Sequence, residues 1–163
     1  VFLTRLVKLI LIKLKFSLCG NLVKFEGLII KLRNDKKMIL VDSNIIIDFW
    51  KKPDVSARKI FEDEEIAICG IIQAELIHGA RSDKELSEVI AALDELIFLD
   101  IDRSDWIEIG KCLNKLKKKG VTVPFQDVII AYIAVKYSTS LWSNDQHFKK
   151  IQSVIKQLKI FEL

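Results

Sequence analysis

The sequence has few of the residues on which several common kinds of protein chemistry depend. Its 163 residues include three cysteines, two histidines, two prolines and one methionine. The cysteines, Cys19, Cys69 and Cys112, are odd in number and show no CxxC spacing, which argues against a disulfide framework and a zinc ribbon. Two histidines leave little for a structural zinc site. We expect a reducing, cytoplasmic setting.

The sequence also lacks an uncharged apolar run long enough to cross a membrane. The opening stretch, VFLTRLVKLILIKLKF, is interrupted by Arg5, Lys8, Lys13 and Lys15, whereas a bilayer requires roughly 20 consecutive apolar residues. Lysines inside the apolar stretch also argue against a signal peptide. We therefore expect no membrane partner.

Positive charge is concentrated at the start of the chain. Residues 1–37 hold nine Lys/Arg against Glu26 and Asp35, a net charge of +7, while the remaining 126 residues have a net charge of −3. The net positive charge of the whole chain is therefore no evidence that the domain itself binds nucleic acid. Because Met38 is the only methionine, we interpret residues 1–37 as an extension, either a start-site artefact or a dispensable basic amphipathic leader. Residues 38–163 then form the functional domain.

From Met38 onward, short apolar strands alternate with helices. The pattern predicts strands at 38–42, 65–69, 96–101 and 140–143, and helices at 44–50, 55–62, 71–80, 83–93, 104–119 and 125–137. The final segment, 151–163, is expected to end in an edge strand. This alternation predicts a single α/β domain, a three-layer α/β/α sandwich with a central parallel sheet.

Four acidic residues are unusual because they lie in apolar segments and not in charged surface runs. Asp42 ends the first predicted strand, Asp145 follows the fourth, Asp127 opens a helix and Glu75 lies within an apolar helix. Any one of them alone could have a local role, such as capping a helix or pairing with Arg81. Since sites in open α/β sheets lie at the carboxyl ends of the strands, we expect the four to meet there.

A cluster of this kind needs a counter-charge. If the carboxylates converge to about 5 Å, each like-charged pair costs roughly 3 kcal/mol at an effective dielectric constant near 20. No lysine or arginine lies among the apolar residues beside them. The cluster must therefore bind protons or a cation, and carboxylate oxygens suit Mg²⁺ or Mn²⁺.

Four segments that carry these acids occur in a characteristic order: ILVDSNIIIDF, IIQAELIHGA, VPFQDVIIAYIA and LWSNDQHF. Together they resemble the motifs of the PIN-domain ribonucleases, specifically the VapC-type toxins of toxin–antitoxin pairs, over nearly all of 38–148. The first segment is similar to the family's first motif, an acid followed by two polar residues. Ser43 stands where threonine is commoner.

The resemblance implies a PIN-like fold and a metal-dependent endoribonuclease that hydrolyses RNA phosphodiester bonds as the toxin of a type II pair. It also implies Mg²⁺ or Mn²⁺ as cofactor, an RNA substrate, a cognate VapB-like antitoxin and a homodimer. The catalytic and metal-binding residues that it implies are Asp42, Glu75, Asp127 and Asp145, with Ser43 and Asn44 as supporting polar residues.

Three further residues close to the fourth acid are candidates for contact with RNA. Lys149 and Lys150 could hold phosphates, and His147 could stack on a base. The neighbouring Phe148 is expected to fill the core beneath Asp145.

Two alternatives stay open at this point. A non-cleaving PIN-like module could bind RNA or a protein without cutting, although it would have no need to tolerate four mutually repelling acids. The second alternative is a phosphoryl-transfer enzyme with Asp42 as nucleophile. Such enzymes require a second acid two positions after the first, and here that position is Asn44.

Overall fold

The computed structural model describes residues 36–52 and 54–163, which form five strands and seven helices. The strands are β1 (Met38–Val41), β2 (Glu65–Cys69), β3 (Ile97–Leu99), β4 (Ser140–Trp142) and β5 (Lys159–Ile160). Apart from its last two residues, the extension 1–37 lies outside the described residues, so its interpretation stays a prediction.

Helices connect the strands and begin at identifiable signals in the sequence. They are α1 (Ser43–Lys51), α2 (Val55–Asp63), α3 (Gly70–His78), α4 (Asp83–Leu93), α5 (Asp105–Lys118), α6 (Phe125–Lys136) and α7 (Gln146–Val154). Side chains of Asp42, Asp54, Ser82 and Asp145 accept a backbone N–H at the starts of α1, α2, α4 and α7. These caps satisfy N–H groups that the first turn of a helix leaves without partners.

All strand pairs are parallel, and the strands lie in the order β3-β2-β1-β4-β5. Central β1 pairs with β2 through Ile39 and Ile66, and with β4 through Ile39 and Ser140. The chain first extends the sheet from β1 toward β3 and later adds β4 on the opposite side of β1. The order therefore reverses between β1 and β4, which opens a crevice at the carboxyl ends of these strands.

The core lies where apolar strands meet the helices. Leu40, Ala67 and Leu141, at the centres of three adjacent strands, are fully buried, as expected for a parallel sheet covered on both faces. An aromatic group joins more distant elements: the Phe49 and Phe61 rings stack with centroids 4.1 Å apart, and Trp142 packs against Phe61. This packing fixes the end of β4 relative to α1 and α2.

The predicted three-layer fold is confirmed, and the predicted strands and helices agree with the structure to within a few residues. Helix α7 was not predicted, and β3 is shorter than predicted because it lies at the edge of the sheet, where Ile97 and Phe98 are exposed. Phe148 is buried in the core as expected. Among the described residues, no helix has the length and apolar character required to cross a membrane.

Candidate active site

Asp42 occupies the crevice between β1 and β4. It directly follows β1, its backbone N–H donates to the carbonyl of Trp142 at 2.9 Å, and it caps α1. The residue is only 6% exposed. The structure thus places an acidic side chain at the point where the strand order reverses.

Both carboxylate oxygens of Asp42 accept hydrogen bonds from neutral donors. Oδ1 accepts from the backbone N–H of Ser43 at 2.8 Å. Oδ2 accepts from Asn44 Nδ2 at 2.7 Å and from Ser143 Oγ at 2.6 Å. Ser143 Oγ in turn accepts from the backbone N–H of Asp145 at 3.0 Å. These contacts hold the carboxylate in one orientation without neutralising its charge.

Glu75 reaches the same edge from α3. Its Oε2 accepts a hydrogen bond from Ser43 Oγ at 2.7 Å. The Glu75 side chain is otherwise exposed, so one of its oxygens is held by the α1 hydroxyl while the other stays accessible. The side chains of Ser43 and Asn44 therefore act on two different acids, since the Ser43 hydroxyl holds Glu75 and the Asn44 amide holds Asp42.

The other two acids face each other across the starts of α6 and α7. Asp127 lies in the first turn of α6, and Asp145 caps α7. His147 Nδ1 lies 3.0 Å from Asp127 Oδ2 and 3.2 Å from Asp145 Oδ1. Nevertheless, Asp127 Oδ2 and His147 Nδ1 are buried and neither makes an aligned hydrogen bond. Buried polar atoms usually have a hydrogen-bond partner, and the described residues supply none that is aligned with either of these two atoms.

The electrostatics of the site disfavour the ionised form of its most buried acids. Burial raises the pKa of Asp42, and the charges of Glu75 and Asp145 raise it further, against hydrogen bonds that lower it. Burial and the charge of Asp145 likewise raise the pKa of Asp127, an effect that His147 opposes. In residues 36–52 and 54–163, no lysine or arginine forms an ion pair with any of the four acids.

The donor set fits a divalent cation. Asp127, Asp145 and His147 each offer a ligand atom, and the three atoms lie within 4.8 Å of one another. Carboxylates are the ligands that hard divalent ions take, and the two orphaned atoms are directed into this cluster. A cation there would also offset the repulsion among the acids, which adds to burial in raising the pKa values of Asp42 and Asp127.

The sequence analysis missed two features of the site. It did not single out Ser143, which bonds Asp42; the available signal was its place as the first polar residue after β4. It considered His147 for stacking on RNA, whereas Nδ1 of this residue faces Asp127 and Asp145. Lys149 and Lys150 are exposed on α7, and Lys149 lines a groove of about 330 Å³ beside Ser143 and Asp145.

The fold and the acids at its switch point define a PIN domain, and the model of the PIN domain family matches residues 39–154. The chain belongs to this family. Within it, the chain is of the VapC type: it is 30% identical over 135 residues to Ribonuclease VapC1 of Methanocaldococcus jannaschii, which covers 81% of this chain and 93% of the relative. Ribonuclease VapC2 of Rickettsia felis is 26% identical over 125 residues, 71% of this chain and 93% of that protein.

Solved structures agree on the fold. A crystal structure of VapBC2 from Rickettsia felis, bound to a DNA fragment from its promoter, superposes with a TM-score of 0.66 at 22% identity, covering 77% of this chain and 98% of that chain. VapBC-1 from nontypeable Haemophilus influenzae gives a TM-score of 0.65 at 22% identity, covering 77% and 97%. These likenesses extend the family assignment to the arrangement of strands and helices.

Proposed function

We propose that the protein is a metal-dependent endoribonuclease that acts as the toxin of a type II toxin–antitoxin pair. The observation that carries this proposal is the group of four acids, Asp42, Glu75, Asp127 and Asp145, which converge at one edge of the sheet with no lysine or arginine paired to them in the described part of the chain. A fold that kept these acids only for stability would neutralise them.

The neighbouring residues prepare the acids to bind a cation. Asn44 and Ser143 donate to one oxygen of Asp42 and keep the carboxylate turned toward the crevice. Ser43 does the same for Glu75. Because these donors are neutral, they orient the acids while leaving their negative charge for a ligand.

Mg²⁺ or Mn²⁺ would be held by Asp127 and Asp145, with Asp42 and Glu75 beside them. When bound, such an ion lowers the pKa of a coordinated water and offsets the negative charge that develops on the phosphodiester during hydrolysis. Asp42, which its neutral donors hold in one orientation beside these ligands, is suited to orient an attacking water and to accept its proton.

The groove beside Asp145 is suited to the RNA backbone. It has a volume of about 330 Å³ and lies between the start of α7 and the C-terminal segment 160–163, which contributes Glu162. Lys149 lines it from α7, and its ammonium can attract a phosphate. Lys150 is exposed on the same helix. The relatives crystallised as VapBC assemblies support a VapB-like antitoxin as partner. A homodimer as the toxin unit stays an expectation from the family resemblance.

The test is cleavage of a mixed cellular RNA by the purified full chain. We expect cleavage with Mg²⁺ or Mn²⁺, none with excess chelator, and a loss of at least about a hundredfold for Asp145→Asn. Asp94→Asn is the matched control, because Asp94 is an exposed acid at the end of α4 and should leave the rate unchanged.

The outcome also distinguishes a non-cleaving module. A protein that binds RNA but never shortens it, with either metal, would contradict the nuclease proposal. Cleavage that persists at the same rate in Asp145→Asn would show that the preparation contains a different nuclease, or that this edge of the sheet is not the site.

A further inference from the structure

His147 is the one nitrogen donor at a site otherwise made of oxygen ligands. It lies in the first turn of α7, two residues after the capping Asp145, whose Oδ1 accepts the His147 backbone N–H at 2.8 Å. This hydrogen bond fixes the backbone from which the imidazole extends. The ring is therefore held beside Asp127 and Asp145 by the start of the helix itself.

The contacts between His147 and the two acids have the length of an ion pair but lack the alignment of a hydrogen bond. In a charged hydrogen bond the imidazole N–H points along its axis at a carboxylate oxygen. Here Nδ1 approaches Asp127 Oδ2 to 3.0 Å and Asp145 Oδ1 to 3.2 Å, yet Nδ1 and Asp127 Oδ2 are buried without an aligned hydrogen bond. The ligand atoms of Asp127, Asp145 and His147 instead lie within 4.8 Å of one another, close enough to share one ion.

These separations are those of ligands around one ion. Two ligands at neighbouring corners of an octahedron, each about 2.1 Å from a metal, lie about 3.0 Å apart. The distances from Nδ1 to the two carboxylate oxygens are close to this value. A metal bound by Asp127, Asp145 and His147 would give a ligand contact to both atoms that lack an aligned hydrogen bond.

We propose that Nδ1 of His147 is a direct metal ligand together with Asp127 and Asp145, and that this nitrogen makes the site prefer Mn²⁺ to Mg²⁺. The inference rests on the proposed function, since it names the ligand set of the same site. Mg²⁺ demands oxygen ligands, while imidazole favours transition-metal ions. Nε2 of His147 stays available to bond a neighbouring group or water, which would fix the ring orientation.

The test is the electron spin-echo envelope modulation of Mn²⁺ bound to the untagged full chain after removal of other metals by chelation. A directly bound imidazole nitrogen gives a characteristic ¹⁴N modulation. We expect this modulation in the wild-type protein and its loss in His147→Gln. Since the sequence contains only two histidines, His78→Gln is the matched control, and it should retain the modulation because His78 is exposed at the end of α3.

Metal affinities, measured by calorimetry on the same proteins, give a second readout. We expect His147→Gln to weaken Mn²⁺ binding by at least about tenfold and Mg²⁺ binding by no more than about twofold. Equal melting temperatures of the variant and the wild type in chelator would show that the fold is intact.

Three results are informative. Mn²⁺ bound without ¹⁴N modulation, or with unchanged affinity in His147→Gln, would overturn the inference and leave the proposed nuclease site standing. No binding of Mn²⁺ or Mg²⁺ to the wild-type protein would overturn the proposed function and the inference together. Modulation that disappears only in His147→Gln, with a selective loss of Mn²⁺ affinity, supports both.

Discussion

Two aspartates of this protein are almost equally buried and have opposite electrostatic surroundings. Asp42 is 6% exposed and Asp105 is 5% exposed. Asp105, at the start of α5, accepts hydrogen bonds from Lys136 Nζ and, at 2.7 Å, from the hydroxyl of Tyr132. The bonds from Lys136 and Tyr132 lower the pKa of Asp105 to about 2.

Among the residues that the structure describes, no lysine or arginine pairs with Asp42. Its donors are the backbone of Ser43, the amide of Asn44 and the hydroxyl of Ser143, and burial raises its pKa. The ion pair of Asp105 with Lys136 joins α5 to α6. It shows how this fold neutralises a buried acid whose role is to stabilise the structure. The contrast supports the proposal that Asp42 belongs to a metal-binding site.

The largest expected difference between the two acids is in catalysis. Asp42→Asn should lower the rate of RNA cleavage by at least about a hundredfold and abolish growth arrest on expression, while the folded fraction is unchanged. Asp105→Asn should retain the wild-type rate per folded molecule and melt at a lower temperature, because Lys136 loses its charged partner. Cleavage assays and thermal melts of both variants check this. Equal rates for Asp42→Asn and the wild type would remove Asp42 from the site.

The next difference is in the response to metal. Saturating Mn²⁺ at about 100 times its dissociation constant should raise the melting temperature of the wild type by about 5–10 °C. Asp105→Asn should show the same increase from its lower starting point, and Asp127→Asn should show none. A metal-dependent shift that survives in Asp127→Asn would place the bound ion elsewhere on the protein.

The smallest difference is in the pH dependence of metal-free stability. Asp42 has a folded-state pKa raised above 3.8, so the folded state binds its proton first and gains stability as the pH falls from that raised pKa toward 3.8. Asp105 has a folded-state pKa of about 2, so its stabilisation is lost as the pH falls from 3.8 toward 2.

Chemical denaturation across this pH range, in the presence of a chelator, separates the two effects. In Asp42→Asn, the free energy of unfolding should rise less than in the wild type as the pH falls toward 3.8. In Asp105→Asn, it should fall less than in the wild type as the pH falls from 3.8 toward 2. If both variants follow the wild-type profile, the two carboxyl groups do not differ in the way that the structure indicates.

Much of the fold could be predicted because strong apolar periodicity marks most of its elements. Segments such as MILV and EIAIC are short, continuous apolar runs next to turn residues, and these are typical of buried parallel strands. Helix α7 was missed because QHFKKIQSV places only Phe148 and Ile151 in the core. Two buried positions among polar neighbours give too weak a helical pattern.

The four acids could be predicted because each lies within or next to an apolar segment. A charged residue in such a segment interrupts the apolar pattern, and this interruption is visible in the sequence. The pairing of Asp105 with Lys136 could not, because 31 residues separate them and both occur in ordinary amphipathic surroundings. The orientation of His147 likewise depends on the start of α7 and on the side-chain rotamer, neither of which the sequence pattern contains.

The crevice between β1 and β4 has a consequence for the synthesis of this protein. Asp42 and Ser143, which share a hydrogen bond, are 101 residues apart in the chain. A ribosome making the protein therefore releases Asp42 long before the residues that complete the site around it. An unfinished chain therefore lacks the residues that hold Asp42 in place, and the crevice is complete only after nearly all of the domain has emerged.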